Sequence, residues 1–287
     1  MKSNQKQVAT FAFAEKNAVR PLTWLLFLVI ALGFPRGGAA ADALRIGGTG
    51  AALGAMRLLT DEFTKQNPDA RFTAVPSLGS GGGIKAVAAG AIDLAVTSRA
   101  LNESERKLGV IELEYARTPF VFAVPAKSKV SAITRAELAD IYAGRMVKWA
   151  DGDAVRIVLR PASDIDTEMV KNISPAVREG LAAAEQRPGV RFSVNDQDAA
   201  DDLEKIAGAI GPSSLALIVS ERRALRALAL DGVEPTPANA AAGAYPHYKR
   251  LFFVTGAKPP PAVERFIAFV QSPAGRTILE KNGHWIP

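Results

Sequence analysis

The pattern that most constrains this chain is an alternation of short apolar runs with glycine-rich turns that open into helical periodicity. Leu44-Arg45-Ile46 leads into Gly47-Gly48-Thr49-Gly50, after which Leu53, Met56, Leu59 and Phe63 recur at helical spacing. Asn67-Pro68 ends that helix. A second run over 72–75 precedes Gly79-Ser80-Gly81-Gly82-Gly83, and Ile84, Val87 and Ala88 then mark a short helix closed by Gly90. Ile92, Leu94 and Val96 alternate as a third buried strand. Strand–helix–strand–helix–strand in this order predicts an α/β fold, a parallel sheet covered by helices.

A further apolar strand over 120–124 ends at Pro125, and a second α/β unit follows. Thr134 can cap a helix carrying Leu138 and Ile141, 156–159 reads as a strand, and a polar turn from Arg160 leads into a helix from about Thr167. Residues 191–194 and 215–219 are expected as strands around a helix marked by Leu203, Ile206 and Ile210. A late strand at 251–254 and helices at 263–270 and 274–281 close the chain. Short crossings near Pro125 and Asp231 predict two lobes joined by strands that bend, with a ligand cleft between them. The expected division is an export signal at 1–41, the first part of lobe 1 at 42–126, lobe 2 at 127–225, and a return to lobe 1 at 226–287.

The signal rests on order. Lys2, Lys6, Lys16 and Arg20 precede an uncharged apolar run at 22–34, followed by small residues ending in Ala39-Ala40-Ala41. The run is shorter than the roughly 20 residues of a membrane span. The expected mature chain begins near Asp42 and works in the periplasm; the alternative is an uncleaved N-terminal anchor. Removing this segment's five basic side chains and one acidic one lowers the formal net charge from +6 to +2. The basicity therefore belongs mostly to the signal and does not describe a nucleic-acid surface. There is no cysteine for a lipid anchor or a disulfide. With only His247 and His284, and no H-E-x-x-H, G-x-S-x-G or P-loop pattern, no metal site, cofactor or catalytic set is expected.

Three turns carry the candidate chemistry: 48–52, 79–83 and 160–167. Each follows a strand and opens a helix, where free backbone N–H groups and the positive end of the helix dipole favour an anion. The first contains Gly48-Thr49-Gly50 with Gly54, which imitates a dinucleotide fingerprint. The acidic residue that such a site needs after the second strand is replaced by Pro76-Ser77-Leu78-Gly79-Ser80. The ligand-binding candidates are Gly50, Ala51 and Ala52; Ser80, Gly81 and Gly82; Thr97, Ser98 and Arg99 after the third strand; and Arg160, Ser163, Asp164, Asp166 and Thr167. Plainer roles stand beside these: a tight turn at 48–52, a loop at 79–83, an ion pair of Arg99 with Glu103 or Glu105, and an N-cap at Asp164 or Asp166 that also pairs with Arg160.

These segments, in this order, resemble the periplasmic phosphate-binding proteins of ABC transporters. Gly48-Thr49-Gly50-Ala51-Ala52-Leu53 is similar to that family's first anion loop, and Gly79-Ser80-Gly81-Gly82-Gly83-Ile84-Lys85 to its second. Ala91-Ile92-Asp93-Leu94-Ala95-Val96-Thr97-Ser98-Arg99, Asp140-Ile141-Tyr142-Ala143-Gly144 with Trp149, Tyr245-Pro246 and Ser272-Pro273-Ala274-Gly275 extend the likeness over most of the mature chain. The resemblance implies a two-lobed class II binding-protein fold, closure around a dehydrated anion, and delivery to an ABC permease in the inner membrane. It implies no enzymatic activity and no nucleic-acid partner, and the protein is expected as a monomer. By position, residues 50–53 would give backbone donors, Ser80 its hydroxyl and the N–H groups after it, Ser98 the cleft floor and Arg160 the cation.

Two departures bear on the ligand. Asp164-Ile165-Asp166-Thr167 stands where the family commonly has Ser-Gly-Thr, and Ala52 stands where many members have threonine. A carboxylate acceptor suits phosphate, which keeps a proton at neutral pH, and opposes sulfate, which does not. Equally, two acids could exclude any highly charged anion. Phosphate capture is the leading expectation; tungstate, molybdate or sulfate binding, an anion-sensing module and an exported hydrolase are the alternatives.

Overall fold

The computed structural model describes residues 43–287, so the export signal and its cleavage near Asp42 lie outside the described residues. The first elements are β1 (Leu44–Gly48), α1 (Gly50–Gln66), β2 (Phe72–Ala74), α2 (Gly79–Ala88), β3 (Leu94–Thr97), α3 (Glu103–Arg106) and β4 (Val110–Pro125). The middle of the chain forms β5 (Ala132–Ile133), α4 (Arg135–Ala143), β6 (Arg156–Leu159), α5 (Ile165–Lys171), α6 (Pro175–Glu185), β7 (Arg191–Phe192), α7 (Asp196–Lys205), β8 (Ala209–Ser214) and α8 (Leu215–Ser220). The last part holds β9 (Leu225–Ala227), β10 (Ala229–Leu230), α9 (Pro237–Ala241), β11 (Tyr248–Gly256), α10 (Pro261–Gln271) and α11 (Pro273–Lys281). Among the described residues no helix is long and apolar enough to cross a membrane.

The main sheet runs β2-β1-β3-β11-β4-β8-β6-β7, with β9 also pairing β4. Its two ends are parallel, as the βαβ pattern demands: β1 with β2 and β3, and β6 with β7 and β8. The centre is antiparallel, because β11 pairs with β3 and β4, and β4 pairs with β8 and β9. The expectation of a parallel sheet therefore holds for each end, and the join makes the whole sheet mixed. β4 is the joining element. It is far longer than the expected 120–124, because its first half puts Glu112 and Glu114 among the apolar residues and so conceals the strand.

Two further expectations are corrected. Residues 215–219 form helix α8, not a strand, since the Ser214 hydroxyl accepts from Leu217 N and caps it. Ile210 lies in β8, not in the preceding helix. A short apolar run does not separate helix from strand by periodicity. The capping of α4 by Thr134 holds: its hydroxyl accepts from Glu137 N, and Glu137 bonds back to the Thr134 backbone.

The packed cores divide along β4 and β11. Met56, Leu59, Phe63, Tyr115, Ala116, Leu251, Phe253 and Phe266 share one core. Phe120, Phe122, Leu138, Tyr142, Val177, Leu228, Leu230 and Tyr245 share another. The apolar residues from Phe120 to Val124, and those from Leu228 to Tyr245, thus pack with the middle of the chain. The sequence division at 126 and 226 had put both stretches in the first lobe. The reason is pairing, since β9 joins the far half of β4, β10 joins β5, and the Tyr245 hydroxyl donates to Phe120 O at 2.9 Å. Both crossings between cores fall where Thr118 pairs with Lys249 and Pro119 with Tyr248.

Candidate functional site

Four strand ends meet at one cavity, the usual place for a ligand in an open α/β sheet. β1 ends just before Thr49, β3 before Ser98 and Arg99, β6 before Arg160, and β7 shortly before Asn195 and Asp196. The cavity measures about 550 Å³. Thr49, Ser77, Gly79, Ser80, Gly81, Gly82, Lys85 and Arg99 line one wall, and Arg160, Ser163, Asp164, Asn195 and Asp196 line the other.

The first wall is built on the start of α2. The glycine-rich run is the helix's own first turn, and Leu78 before it supplies no side-chain cap. The N–H groups of that turn therefore keep their capacity for a ligand, reinforced by the helix dipole. Glycine at 83 brings the helix against β1, where a β-carbon would come within 2.8 Å of Gly48 Cα. Ser80 is buried; its Oγ accepts from Ser98 N at 3.0 Å and lies 3.1 Å from Ser98 Oγ. Thr97 is wholly buried and its Oγ1 donates to Arg99 O at 2.8 Å, which fixes the strand end. Arg99 lines the cavity but is held by both oxygens of Glu105 at 2.7 Å. The hydrogen bond from Arg99 lowers the Glu105 carboxyl below the usual range.

The second wall is ionic. Arg160 is buried; its guanidinium donates to Ser193 O at 2.8 Å and to Asp164 Oδ2 at 2.6 Å, while Nε has no hydrogen-bond partner among the described residues. Asp164 Oδ1 accepts from Asp166 N at 2.9 Å, so this carboxylate both caps α5 and pairs with Arg160. Thr167 is buried below, its hydroxyl donating to Arg160 O and Pro161 O. Asp166 lies beneath the cavity lining and forms an ion pair with Lys249 of β11, both side chains being out of water. Lys249 Nζ is also 3.8 Å from Asp196 Oδ1, and Asp196 Oδ2 is 4.0 Å from an Arg160 nitrogen. Burial pushes the Asp166 carboxyl up to about 6 against the opposing pull of Lys249. Burial alone would lower the Lys249 ammonium, but Asp166 and Asp196 outweigh it and hold the pKa above its ordinary value.

The first predicted loop is placed differently from the other two. Gly50, Ala51 and Ala52 are buried and outside the cavity lining, which takes only Thr49 from that turn. The start of α7 covers it: Gln197 Nε2 donates to Gly50 O at 3.0 Å, and a β-carbon at Gly50 would overlap Asp196 and Gln197. Of the candidates, the structure brings Ser80, Gly81, Gly82, Arg99, Arg160, Ser163 and Asp164 to the cavity, and keeps Thr97, Ser98, Asp166 and Thr167 as buried support.

Sequence reasoning missed Ser77, Lys85, Asn195, Asp196 and Lys249. Asn195 and Asp196 carry the same signal as the three chosen turns, a strand opening into a capped helix. Lys249 carries a subtler one, a charge beside Arg250 at the start of a strand that runs on into Leu251-Phe252-Phe253-Val254. Among the described residues no group of three or more histidine, aspartate or glutamate side chains is placed to hold a metal.

The phosphate-binding protein PstS of Bacillus subtilis is 25% identical over 258 residues, covering 86% of this chain and 81% of that protein. A Clostridium perfringens protein assigned as a phosphate ABC transporter substrate-binding protein, solved with bound phosphate, superposes with a TM-score of 0.73 at 23% identity, over 86% of this chain and all of that one. An ABC-type phosphate transport receptor from Vibrio cholerae gives a TM-score of 0.60 at 21% identity, over 85% of this chain and all of that one. At these identities the structural likeness is one of fold, here a two-lobed α/β binding fold. A family model described as the PBP superfamily domain matches residues 35–274, and the chain belongs to that superfamily.

Proposed function

We propose that this chain is an extracytoplasmic solute-binding protein that captures phosphate for an ABC importer, its lobes closing around the anion. The observation that carries this reading is one cavity with two complementary walls. The uncapped start of α2 and the Ser80–Ser98 pair face buried Arg160, whose Nε is still unpartnered. Helix N–H groups, a serine hydroxyl and a guanidinium are the donors a tetrahedral oxyanion needs. Asp164 and Asp196 on the cavity add acceptors that suit an anion still carrying hydrogen. The homology to PstS over most of the chain supports phosphate as the cargo. The shared fold with an ABC transporter substrate-binding protein and a periplasmic phosphate-binding protein fits a membrane permease as partner and a place of action outside the cytoplasm.

Ligand contact falls to Ser80, Gly81, Gly82, Arg160 and Ser163, with Asp164 as acceptor and Arg99 at the rim. The lobes meet at the two crossings near Pro119 and Tyr248, which serve as the hinge. The working unit is a monomer that binds no nucleic acid and catalyses no reaction. Titration calorimetry of the mature chain with phosphate, sulfate, molybdate and tungstate tests the proposal. The expected result is tight binding of phosphate and at least a hundredfold weaker binding of sulfate, from buried acceptors left facing an anion with no hydrogen to share. Preference for another of the four would replace the cargo, and binding of none would overturn the reading.

A further inference from the structure

Five charges run in a chain under the second wall of the cavity, alternating in sign: Asp164, Arg160, Asp196, Lys249, Asp166. Three are carboxylates and two are cations, so with every group ionised the array carries one net negative charge before any ligand arrives. Arg160, the cation at the cavity, is already shared between two of these carboxylates. A phosphate dianion bound there would bring the array to three negative charges, on side chains that are themselves largely out of water. Buried charge without compensation costs several kcal/mol. The donors of the first wall offset part of that, but they carry no full charge except through Lys85 and the Glu105-paired Arg99.

We propose that anion capture at this site is proton-coupled: as phosphate binds at Arg160, about one proton is taken up at Asp166, which Lys249 links to Asp196. This rests on the phosphate reading above. The groups facing Asp166 are known from every side: Lys249 from β11, Asp196 from α7, Arg160 from β6, Asp164 at its own helix cap and Tyr142 from α4. Burial already raises the Asp166 carboxyl, and an arriving anion raises it further, which makes binding a proton-uptake step. Lys249 sits where both chain crossings meet, so the same step changes the charge at the hinge.

The test is calorimetry of wild-type protein with inorganic phosphate, on the alkaline side of phosphate's second ionisation, in two buffers of different ionisation enthalpy. About one proton is expected to enter per anion bound, and affinity is expected to fall by up to tenfold for each further pH unit. Asp166→Asn fixes the position in a neutral state. Its phosphate affinity at alkaline pH is expected to exceed that of wild type, with the proton uptake and the pH slope lost. A merely structural role for Asp166 predicts weaker binding and an unchanged slope. Should Asp166→Asn not fold, the double variant Lys249→Met with Asp166→Asn, which removes a cation and a carboxylate together, is the second variant, with the proton uptake and the pH slope again expected to be lost. Phosphate binding with no proton uptake would overturn the coupling alone, as would an unchanged uptake in the variants, which would put the proton on the anion itself. No phosphate binding at any pH would overturn the phosphate reading and this proposal with it.

Discussion

The two walls of the cavity solve the same problem by different means. On the α2 wall the proposed anion donors are backbone N–H groups and the Ser80–Ser98 pair, uncharged and held largely by local geometry. On the Arg160 wall they belong to a guanidinium embedded in carboxylates. A dipolar wall costs little to bury and changes little with pH. An ionic wall is strong only while every partner is present, since removing one leaves another charge buried and alone. The contrast teaches that the ionic side carries the larger share of both folding stability and ligand affinity, and that protons act on the two sides with opposite sign.

The sharpest way to break that contrast is Lys249→Met. It leaves Asp166 and Asp196 without their shared cation, and a loss of about 3–5 kcal/mol of folding stability is expected in urea denaturation. The double variant Lys249→Met with Asp166→Asn should regain most of the loss. If the single variant is as stable as wild type, Lys249 does not compensate Asp166 and Asp196, and the ionic wall is no source of stability.

The pH dependence of the urea midpoint separates the walls by sign. Asp166 has a folded value raised from 3.8 to about 6, so its contribution is fully present below the lower value and is lost as pH rises through the upper one. Glu105, lowered by Arg99, does the reverse: its contribution is present above the ordinary glutamate value of 4.5 and is lost as pH falls through its folded value. Asp166→Asn should remove the decline between about pH 4 and pH 6, and Glu105→Gln should flatten the acid limb. Slopes of the same sign for the two residues would contradict the assignment.

How much of this was legible in the sequence follows the same division. The α2 wall was readable because glycine spacing and a single serine write backbone geometry directly into the chain, even though the glycines proved to be the helix's first turn. Arg160 and Asp164 were readable because they adjoin one strand end. Asp196 and Lys249 were not found, since they come from β11 and the start of α7 and meet Asp166 only after folding. The same gap explains 48–52: its uncapped helix start looked like an anion site until α7 packed across it. Local motifs reported the strand-to-helix turns, and the antiparallel centre of the sheet decided which of them share a cavity.

The smallest expected effects measure the walls against each other by affinity. Arg160→Ala removes the one buried cation lining the cavity and frees Asp164 and Asp196 to repel an anion, so phosphate affinity should fall by about a hundredfold or more. Ser80→Ala removes a neutral donor, and a loss of about tenfold is expected from one hydrogen bond of ordinary strength. Ser98 loses an acceptor for its N–H in that variant, so part of the tenfold reflects a looser strand end. Ser80→Thr, which keeps the hydroxyl, distinguishes the two: recovered affinity would mean that the hydroxyl is the donor, and no recovery would mean that the packing against Ser98 matters. If Ser80→Ala cost as much as Arg160→Ala in calorimetry, the dipolar wall would be carrying the anion, and the ionic wall would be there to hold the lobes.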